Sequence, residues 1–156
     1  MGLEKIVSGG QTGVDRGALD AALAAGRPCG GWCPAGRLAE DGVIPMRYPL
    51  VETGAADPAV RTRRNVEESD GTLILCRGEL SGGTLLTRRV CDRLGRPCEV
   101  VDAAASESAE AARRAKQFVA RYAIAVLNVA GPRQSGWPGA AEYARDVIDR
   151  LLADSA

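Results

Sequence analysis

Histidine is absent from this chain of 156 residues. Its absence excludes Ser-His-Asp and Cys-His nucleophilic catalysis and every metal site that needs an imidazole ligand. Cysteine is also sparse: the five cysteines are an odd number and include no CxxC pair. Cys29 and Cys33 alone are too few ligands for zinc. The sequence therefore predicts no structural metal and thiols that stay reduced.

The chain also lacks an excess of charge of either sign and any long apolar run. Twenty basic residues balance twenty acidic ones, so nothing attracts the whole chain to nucleic acid or to an anionic membrane. No apolar run approaches the ~20 residues of a membrane span, and no secretory signal opens the sequence. With 46% apolar residues, we expect one folded domain over 1–156, in the cytoplasm, that binds neither nucleic acid nor membrane.

Apolar runs of strand length alternate with helical patterns along the chain. The pattern predicts strands at 3–7, 29–33, 72–76, 98–101 and 124–129. It predicts helices at 12–25, 57–69, 85–94, 106–122 and a last one over 144–152, and an ordered, packed loop at 34–56. Such alternation is typical of an α/β domain with a mostly parallel sheet and helices on both faces.

Ser8-Gly9-Gly10-Gln11-Thr12-Gly13 joins the first strand to the first helix. It is not a Rossmann fingerprint, because Ser8 replaces the first glycine, and it lacks the Lys of a P-loop. Its glycines would still let a ligand approach the backbone, and the N–H groups of 11–14 are predicted to be free at the helix start. Ser8, Gln11, Thr12 and Arg16 offer further donors. Thr12 is the predicted N-cap, with Asp15 completing a capping-box-like pair. The alternative is a tight turn that binds nothing.

Two later loops carry similar residues. The loop after the third predicted strand contains Ser81-Gly82-Gly83-Thr84, followed by Thr87. The loop after the last strand, NVAGPRQSGWPG, supplies Asn128, Gly131, Arg133 and Ser135. Because parallel strands bring their carboxyl ends to one edge, the three loops predict a shared site for an anionic ligand.

Other polar residues have two interpretations each. Glu40 and Asp41 are adjacent carboxylates that could exchange protons with a substrate, although salt bridges on a solvated loop explain Asp41 as well. Arg61, Arg63 and Arg64 lie on one predicted helix, which we interpret as a solvated face. Trp32 and Trp137 belong to the core or the rim of the domain, or stack on a planar ligand.

Five stretches resemble a known family: SGGQTGVDRGALDAA, GGWCPAGRLAEDGVIPMRYPL, RTRRNVEESDGTLIL, GGTLLT and NVAGPRQS. They are similar to the molybdenum carrier family, the circularly permuted YpsA branch of the SLOG superfamily. The resemblance implies a Rossmann-like three-layer sandwich related to the LOG proteins and a homo-oligomer, dimer or tetramer. It also implies a carrier with a pocket for a pterin-derived or nucleotide-like ligand, with molybdenum cofactor as cargo; other members are predicted nucleotide sensors.

The resemblance also implies the residues that line the pocket. Together with Ser8, which the donor argument adds, they are Gly9, Gly10, Gln11, Thr12, Gly13, Asp15, Arg16, Asp70, Gly82, Gly83, Thr84, Thr87, Asn128, Gly131, Pro132 and Arg133. LOG phosphoribohydrolases carry an acidic residue after their glycine loop, whereas here no carboxylate follows Gly83 until Asp92. Three hypotheses stay open: a carrier or sensor, a nucleotide N-glycosidic hydrolase with Glu40 as candidate catalytic residue, and a scaffold whose glycines only form turns.

Overall fold

The computed structural model describes residues 2–153. Its strands are β1 (Lys5–Val7), β2 (Cys29–Gly30), β3 (Trp32–Cys33), β4 (Leu38–Ala39), β5 (Gly42–Val43), β6 (Val51–Glu52), β7 (Gly71–Cys76), β8 (Cys98–Asp102) and β9 (Val126–Ala130). Its helices are α1 (Val14–Ala24), α2 (Pro58–Glu67), α3 (Gly82–Leu94), α4 (Ser108–Arg121) and α5 (Ala140–Ala153).

A five-stranded parallel sheet forms the centre, in the order β2-β1-β9-β7-β8. Helices α1 and α4 both pack against α5 on one face, and α2 packs on α3 on the other. This confirms the predicted α/β, Rossmann-like three-layer arrangement. The last strand, β9, lies between β1 and β7, so the loops that follow these three strands leave the sheet side by side.

The main core lies between the sheet and the face formed by α1, α4 and α5. Small side chains allow the helices on this face to pack closely: Ala18 and Ala22 of α1 and Ala144 of α5 are all buried. An alanine surface lets helix axes approach closely and buries apolar area without loss of side-chain entropy. The predicted domain, 1–156, includes termini that lie outside the described residues.

The predicted strand at 29–33 is two strands in two different sheets. β2 pairs with β1 in the central sheet, whereas β3 pairs with β6 in a separate two-stranded sheet. Gly31 separates them and lies so close to the first loop that a Cβ there would be 2.3 Å from the carbonyl oxygen of Ser8. The chain leaves the central sheet at this point, and only a residue without a side chain fits there.

The predicted loop at 34–56 is ordered, and one buried arginine organises it. The guanidinium of Arg37 donates to four carbonyl oxygens, those of Ile44, Pro45, Tyr48 and Leu50. The segment contains the β4–β5 hairpin and β6 but no longer strand. The carbonyls of Pro45 and Tyr48 also accept N–H groups within turns, whereas the guanidinium supplies the donors for those of Ile44 and Leu50. Ile44, Tyr48 and Leu50 pack on Leu19 of α1, which attaches the segment to the domain.

Some helix ends follow the predicted signals and others do not. Asp57 caps α2 with Pro58 at its first position, and Gly26 after α1 has a left-handed φ of 65°. The prediction that Thr12 caps α1 is wrong, since Gly13 occupies that position without a side-chain hydrogen bond. Helix α3 begins at Gly82, before the predicted residue 85.

We expect Arg37→Met to lower the free energy of unfolding by about 3 kcal/mol, because the carbonyl oxygens of the buried residues Ile44 and Leu50 would lose the guanidinium donors. Chemical denaturation measures this loss. Arg47→Met in the same segment is the control: its side chain is 64% exposed, so it should cost less than about 1 kcal/mol. Equal losses in the two variants would contradict the assigned role of Arg37.

Candidate ligand-binding site

A cavity of about 380 Å³ opens at the carboxyl edge of the central sheet, where β7 and β9 end. Its volume lies in the range of small-molecule sites. All three predicted loops contribute to its lining, together with α2. Of the predicted site residues, those that line it are Gln11, Asp15, Gly82, Gly83, Thr84, Thr87, Gly131, Pro132 and Arg133.

The start of α3 forms one wall of this cavity, and its backbone donors are free. Ser81 holds the N-cap position without a side-chain hydrogen bond. Within residues 2–153 the N–H groups of Gly82, Gly83 and Thr84 donate to no backbone carbonyl. A Cβ added at Gly82 or Gly83 would meet nothing within 4 Å. Free N–H groups facing open space at a helix start are suited to an anion.

The start of α1 is different, because its donors are already used. The N–H of Gln11 donates to Asp15 Oδ2 at 3.2 Å, that of Thr12 to Gln11 Oε1 at 3.0 Å, and that of Val14 to the carbonyl of Pro132 at 3.2 Å. The prediction of free donors over 11–14 is therefore wrong for these three. These three N–H groups are bonded to the third loop or to the side chains of Gln11 and Asp15. The start of α3 is therefore the one whose N–H groups are available to a ligand.

The glycines of the first loop make room for protein atoms. A Cβ at Gly10 would lie 2.4 Å from Leu50 Cδ1, and one at Gly13 would lie 2.4 Å from the carbonyl oxygen of Pro132. Both have left-handed φ values, 81° and 83°. A Cβ at Gly9 would lie 2.2 Å from Nη1 of Arg61. These three positions need glycine because protein atoms occupy the space of a side chain. Gly82 and Gly83 face open space, so the two similar sequences have different roles.

Arg61 of α2 is a site residue that sequence reasoning missed. Its side chain is 14% exposed, lines the cavity, and reaches Asp15 Oδ2 at 3.6 Å through Nη1. Its Nε is buried and has no hydrogen-bond partner among residues 2–153. A buried guanidinium donor without an acceptor is costly, so this group is suited to a bound anion. Helical spacing was the available signal, since Arg61 lies one turn before Asn65, which is buried.

Asp15 faces Arg61 at the inner end of the cavity. Its carboxyl is buried, and burial raises its pKa above the usual range, although the charge of Arg61 and the N–H of Gln11 act in the opposite direction. Arg77, Glu79 and Arg133 line the outer part of the cavity with exposed side chains.

A small polar recess adjoins the cavity behind Asp15 and Arg61. Its remaining lining residues include Gly9, Thr87 and Asn128. The Asn128 amide donates to the Thr72 hydroxyl at 3.2 Å, and the Thr87 hydroxyl donates to the Gly83 carbonyl at 2.9 Å. Gly9 and Asn128 thus lie beside the recess rather than the cavity.

Glu40 and Asp41 lie outside the cavity. The Glu40 carboxylate accepts from the hydroxyl of Thr12 and from both the N–H and the hydroxyl of Ser135, at 3.1 and 2.6 Å for the latter two. Hydrogen bonds from Ser135 and then Thr12 lower its pKa. Asp41 binds Arg16 at 2.7 Å, which lowers the pKa of Asp41 and occupies the guanidinium of Arg16.

Two further predicted residues are used elsewhere in the structure. Ser8 is buried, and its hydroxyl donates to the carbonyl of Val129 at 2.6 Å. Asp70 lies at the opposite edge of the sheet, where its carboxylate accepts from the N–H groups of Ala125 and Val126 at the start of β9. Of the two tryptophans, Trp137 lines the cavity, whereas Trp32 lies beneath the guanidinium of Arg64.

Comparison with known proteins agrees with this architecture. The sequence model of the circularly permutated YpsA SLOG family matches residues 6–152. The chain belongs to this family. A crystal structure of a "putative molybdenum carrier protein" from Syntrophus aciditrophicus SB is 41% identical, covers 97% of this chain and 96% of its own, and superposes with a TM-score of 0.94. No curated protein matches.

Residues 2–153 of this SLOG family member lack both a membrane-spanning helix and a cluster of metal ligands. No helix in that range is long and apolar enough to cross a membrane. Nor does that part of the chain bring together three or more Cys, Asp or Glu side chains that could hold a metal ion. The lining of the cavity combines backbone donors, guanidinium groups and hydroxyls with the carboxyl groups of Asp15 and Glu79 and with apolar side chains such as Trp137.

The two glycine loops of this SLOG protein should respond differently to alanine. Gly10→Ala should lower the free energy of unfolding by about 2 to 4 kcal/mol, because it combines a left-handed φ with overlap on Leu50. Gly83→Ala should leave it unchanged or raise it by up to about 1 kcal/mol, since alanine favours a helix. Chemical denaturation of both variants tests this, and a similar loss in both would show that Gly83 is also a packing residue.

Proposed function

We propose that this chain is a small-ligand binding or carrier protein whose cavity holds a phosphorylated heterocycle. Molybdenum cofactor, a pterin phosphate, is the leading candidate, and a nucleotide is the related alternative. One observation carries the proposal: Gly82, Gly83 and Thr84, whose N–H groups are free, line the same cavity as Arg61, whose buried Nε has no partner among residues 2–153. Family membership and the neighbour described as a molybdenum carrier support it.

The proposed ligand lies with its phosphate or oxyanion at the start of α3. There the backbone donors and the Thr84 hydroxyl bind oxygen atoms, and Arg61 supplies positive charge. A helix start contributes only about 0.3–1 kcal/mol, whereas a hydrogen bond to a charged group contributes about 1.5–3 kcal/mol, so Arg61 decides the affinity. Trp137 and Pro132, which line the same cavity, offer apolar surface to a planar ring.

Equilibrium binding tests this proposal with molybdenum cofactor, molybdate, inorganic phosphate and a panel of nucleoside monophosphates. Arg61→Met should weaken the binding of the phosphorylated ligands at least about tenfold, the loss of one charged hydrogen bond. Gly83→Ala should also weaken it, because a methyl group would enter the cavity.

Arg63→Met is the matched control for Arg61→Met. Arg63 lies on the same helix, is 54% exposed and pairs with Glu67, so its loss removes the same charge without touching the cavity. Circular dichroism confirms that each variant is folded. Absence of binding of all the probes at millimolar concentration would end the proposal.

A nucleotide N-glycosidic hydrolase is the second candidate, and the position of Asp15 is the observation that favours it. Hydrolysis needs a carboxyl group that can protonate the leaving base. Glu40 does not line the cavity and both its oxygens accept hydrogen bonds. Asp15 does line it, and burial raises the pKa of its carboxyl. Asp15 therefore replaces Glu40 as the proposed acid in this scheme.

Release of free base from the nucleotide panel tests the hydrolase. Asp15→Asn keeps the shape of the side chain but cannot donate a carboxyl proton, so it should abolish turnover while nucleotides still bind. Glu40→Gln should leave turnover measurable. Absence of free base from every nucleotide would remove this candidate and leave the carrier.

Assembly and location stay predictions. The homo-oligomer, dimer or tetramer, implied by the family resemblance would cover exposed apolar side chains such as Val43, Met46 and Val51, which are 66%, 79% and 57% exposed. The expected location is the cytoplasm.

A further inference from the structure

We propose that Glu40 is a positioning residue that holds the loop carrying Arg133 in place beside the cavity. This inference deepens the proposed function and rests on it. Glu40 lies at the tip of the β4–β5 hairpin, outside the cavity, and contacts the first and third loops at the same time. Its role would be to fix the shape of the site before a ligand arrives.

Glu40 contacts two loops that are far apart in sequence, since Thr12 of the first loop and Gln134 of the third are 122 residues apart. Its carboxylate accepts from the Thr12 hydroxyl and from the N–H and hydroxyl of Ser135. Its own N–H donates to Gln11 Oε1 at 2.9 Å. The Thr12 hydroxyl in turn accepts the N–H of Gln134 at 3.1 Å. One side chain thus completes a network that connects the hairpin, the first loop and the third loop.

Ser135 is the part of the third loop that depends on Glu40. Its neighbours have anchors of their own, since the Gln134 side chain bonds the Pro138 carbonyl and the Ala141 N–H, and Trp137 is buried. Ser135 and Gly136 are exposed. A short turn closes locally, with Gly136 N–H donating to the Arg133 carbonyl at 3.0 Å. The N–H and the hydroxyl of Ser135 both donate to the Glu40 carboxylate. Arg133, two residues earlier, is near enough for its charge to lower the pKa of Glu40. Loss of the carboxylate would therefore free Ser135 and leave Arg133 without its nearby anion.

The hairpin itself is a firm support. Arg37 holds its base through four carbonyl oxygens, as described above. Asp41, next to Glu40, binds Arg16 of α1 at 2.7 Å. Because the hairpin that carries Glu40 is held at its base and at Asp41, Glu40 loses little conformational entropy when it binds the third loop. Its hydrogen bonds can therefore preorganise the site.

Two measurements on the full chain test this role. The first is amide hydrogen exchange over 133–137, which reports directly on the Ser135 N–H. The second is the dissociation constant for a nucleoside monophosphate and, separately, for inorganic phosphate. Glu40→Ala should speed exchange in this segment and weaken nucleoside monophosphate binding about five- to tenfold, the effect of lost preorganisation.

The variants separate positioning from charge or proton transfer. Glu40→Gln should recover most of the protection and affinity, because its amide can still bond the hydroxyls of Ser135 and Thr12. Asp41→Asn is the matched control, since its amide oxygen still accepts from Arg16 and Ser135 is untouched, so exchange and affinity should match the wild type.

Each remaining outcome counts against the inference. If Glu40→Gln binds as weakly as Glu40→Ala, the charge of Glu40 acts rather than its hydrogen bonds. If the wild type binds the probes and Glu40→Ala binds them equally well, the positioning role fails while the proposed function stands. If the wild type binds neither probe nor any ligand of the earlier panel, both fail together.

Discussion

Direct backbone contact between the first and third loops is the constraint on which this site depends. The N–H of Val14 donates to the Pro132 carbonyl at 3.2 Å, and Gly13 lies where a Cβ would overlap that same oxygen. The contact uses the N–H of Val14, and the side chains of Asp15 and Gln11 accept those of Gln11 and Thr12. At the start of α3, by contrast, the N–H groups of 82–84 have no backbone acceptor within residues 2–153, and this helix start lines the cavity.

Two buried guanidinium groups show how the same chemistry serves different ends. Arg37 gives its N–H groups to four carbonyl oxygens and is thereby satisfied within the protein. Arg61 has only the carboxyl of Asp15 at 3.6 Å, and its Nε has no partner among the described residues. Since a buried donor without an acceptor is unfavourable, the first arginine stabilises the fold and the second is suited to a ligand.

Much of the fold could be predicted from the sequence, since apolar runs and helix-end signals are local. The parallel α/β order and the gathering of the loops at one edge follow from such patterns. The roles of individual residues could not be predicted equally well. The family resemblance predicted that Asp70 lines the pocket. It lies instead at the opposite edge of the sheet, where its carboxylate binds the start of β9. Arg61 looked like a surface residue, yet Gly9 makes the space that lets it lie beneath the first loop.

The sequence by itself determined which elements form, which loops are rich in glycine and donors, and that imidazole chemistry is absent. Only the tertiary structure decided which glycines face a ligand. Gly10 and Gly83 are each the second glycine of a Ser-Gly-Gly sequence, but a Cβ at Gly10 meets Leu50 and one at Gly83 meets open space. The reason is physical: a glycine is needed wherever atoms come close, and the identity of those atoms depends on residues distant in the chain.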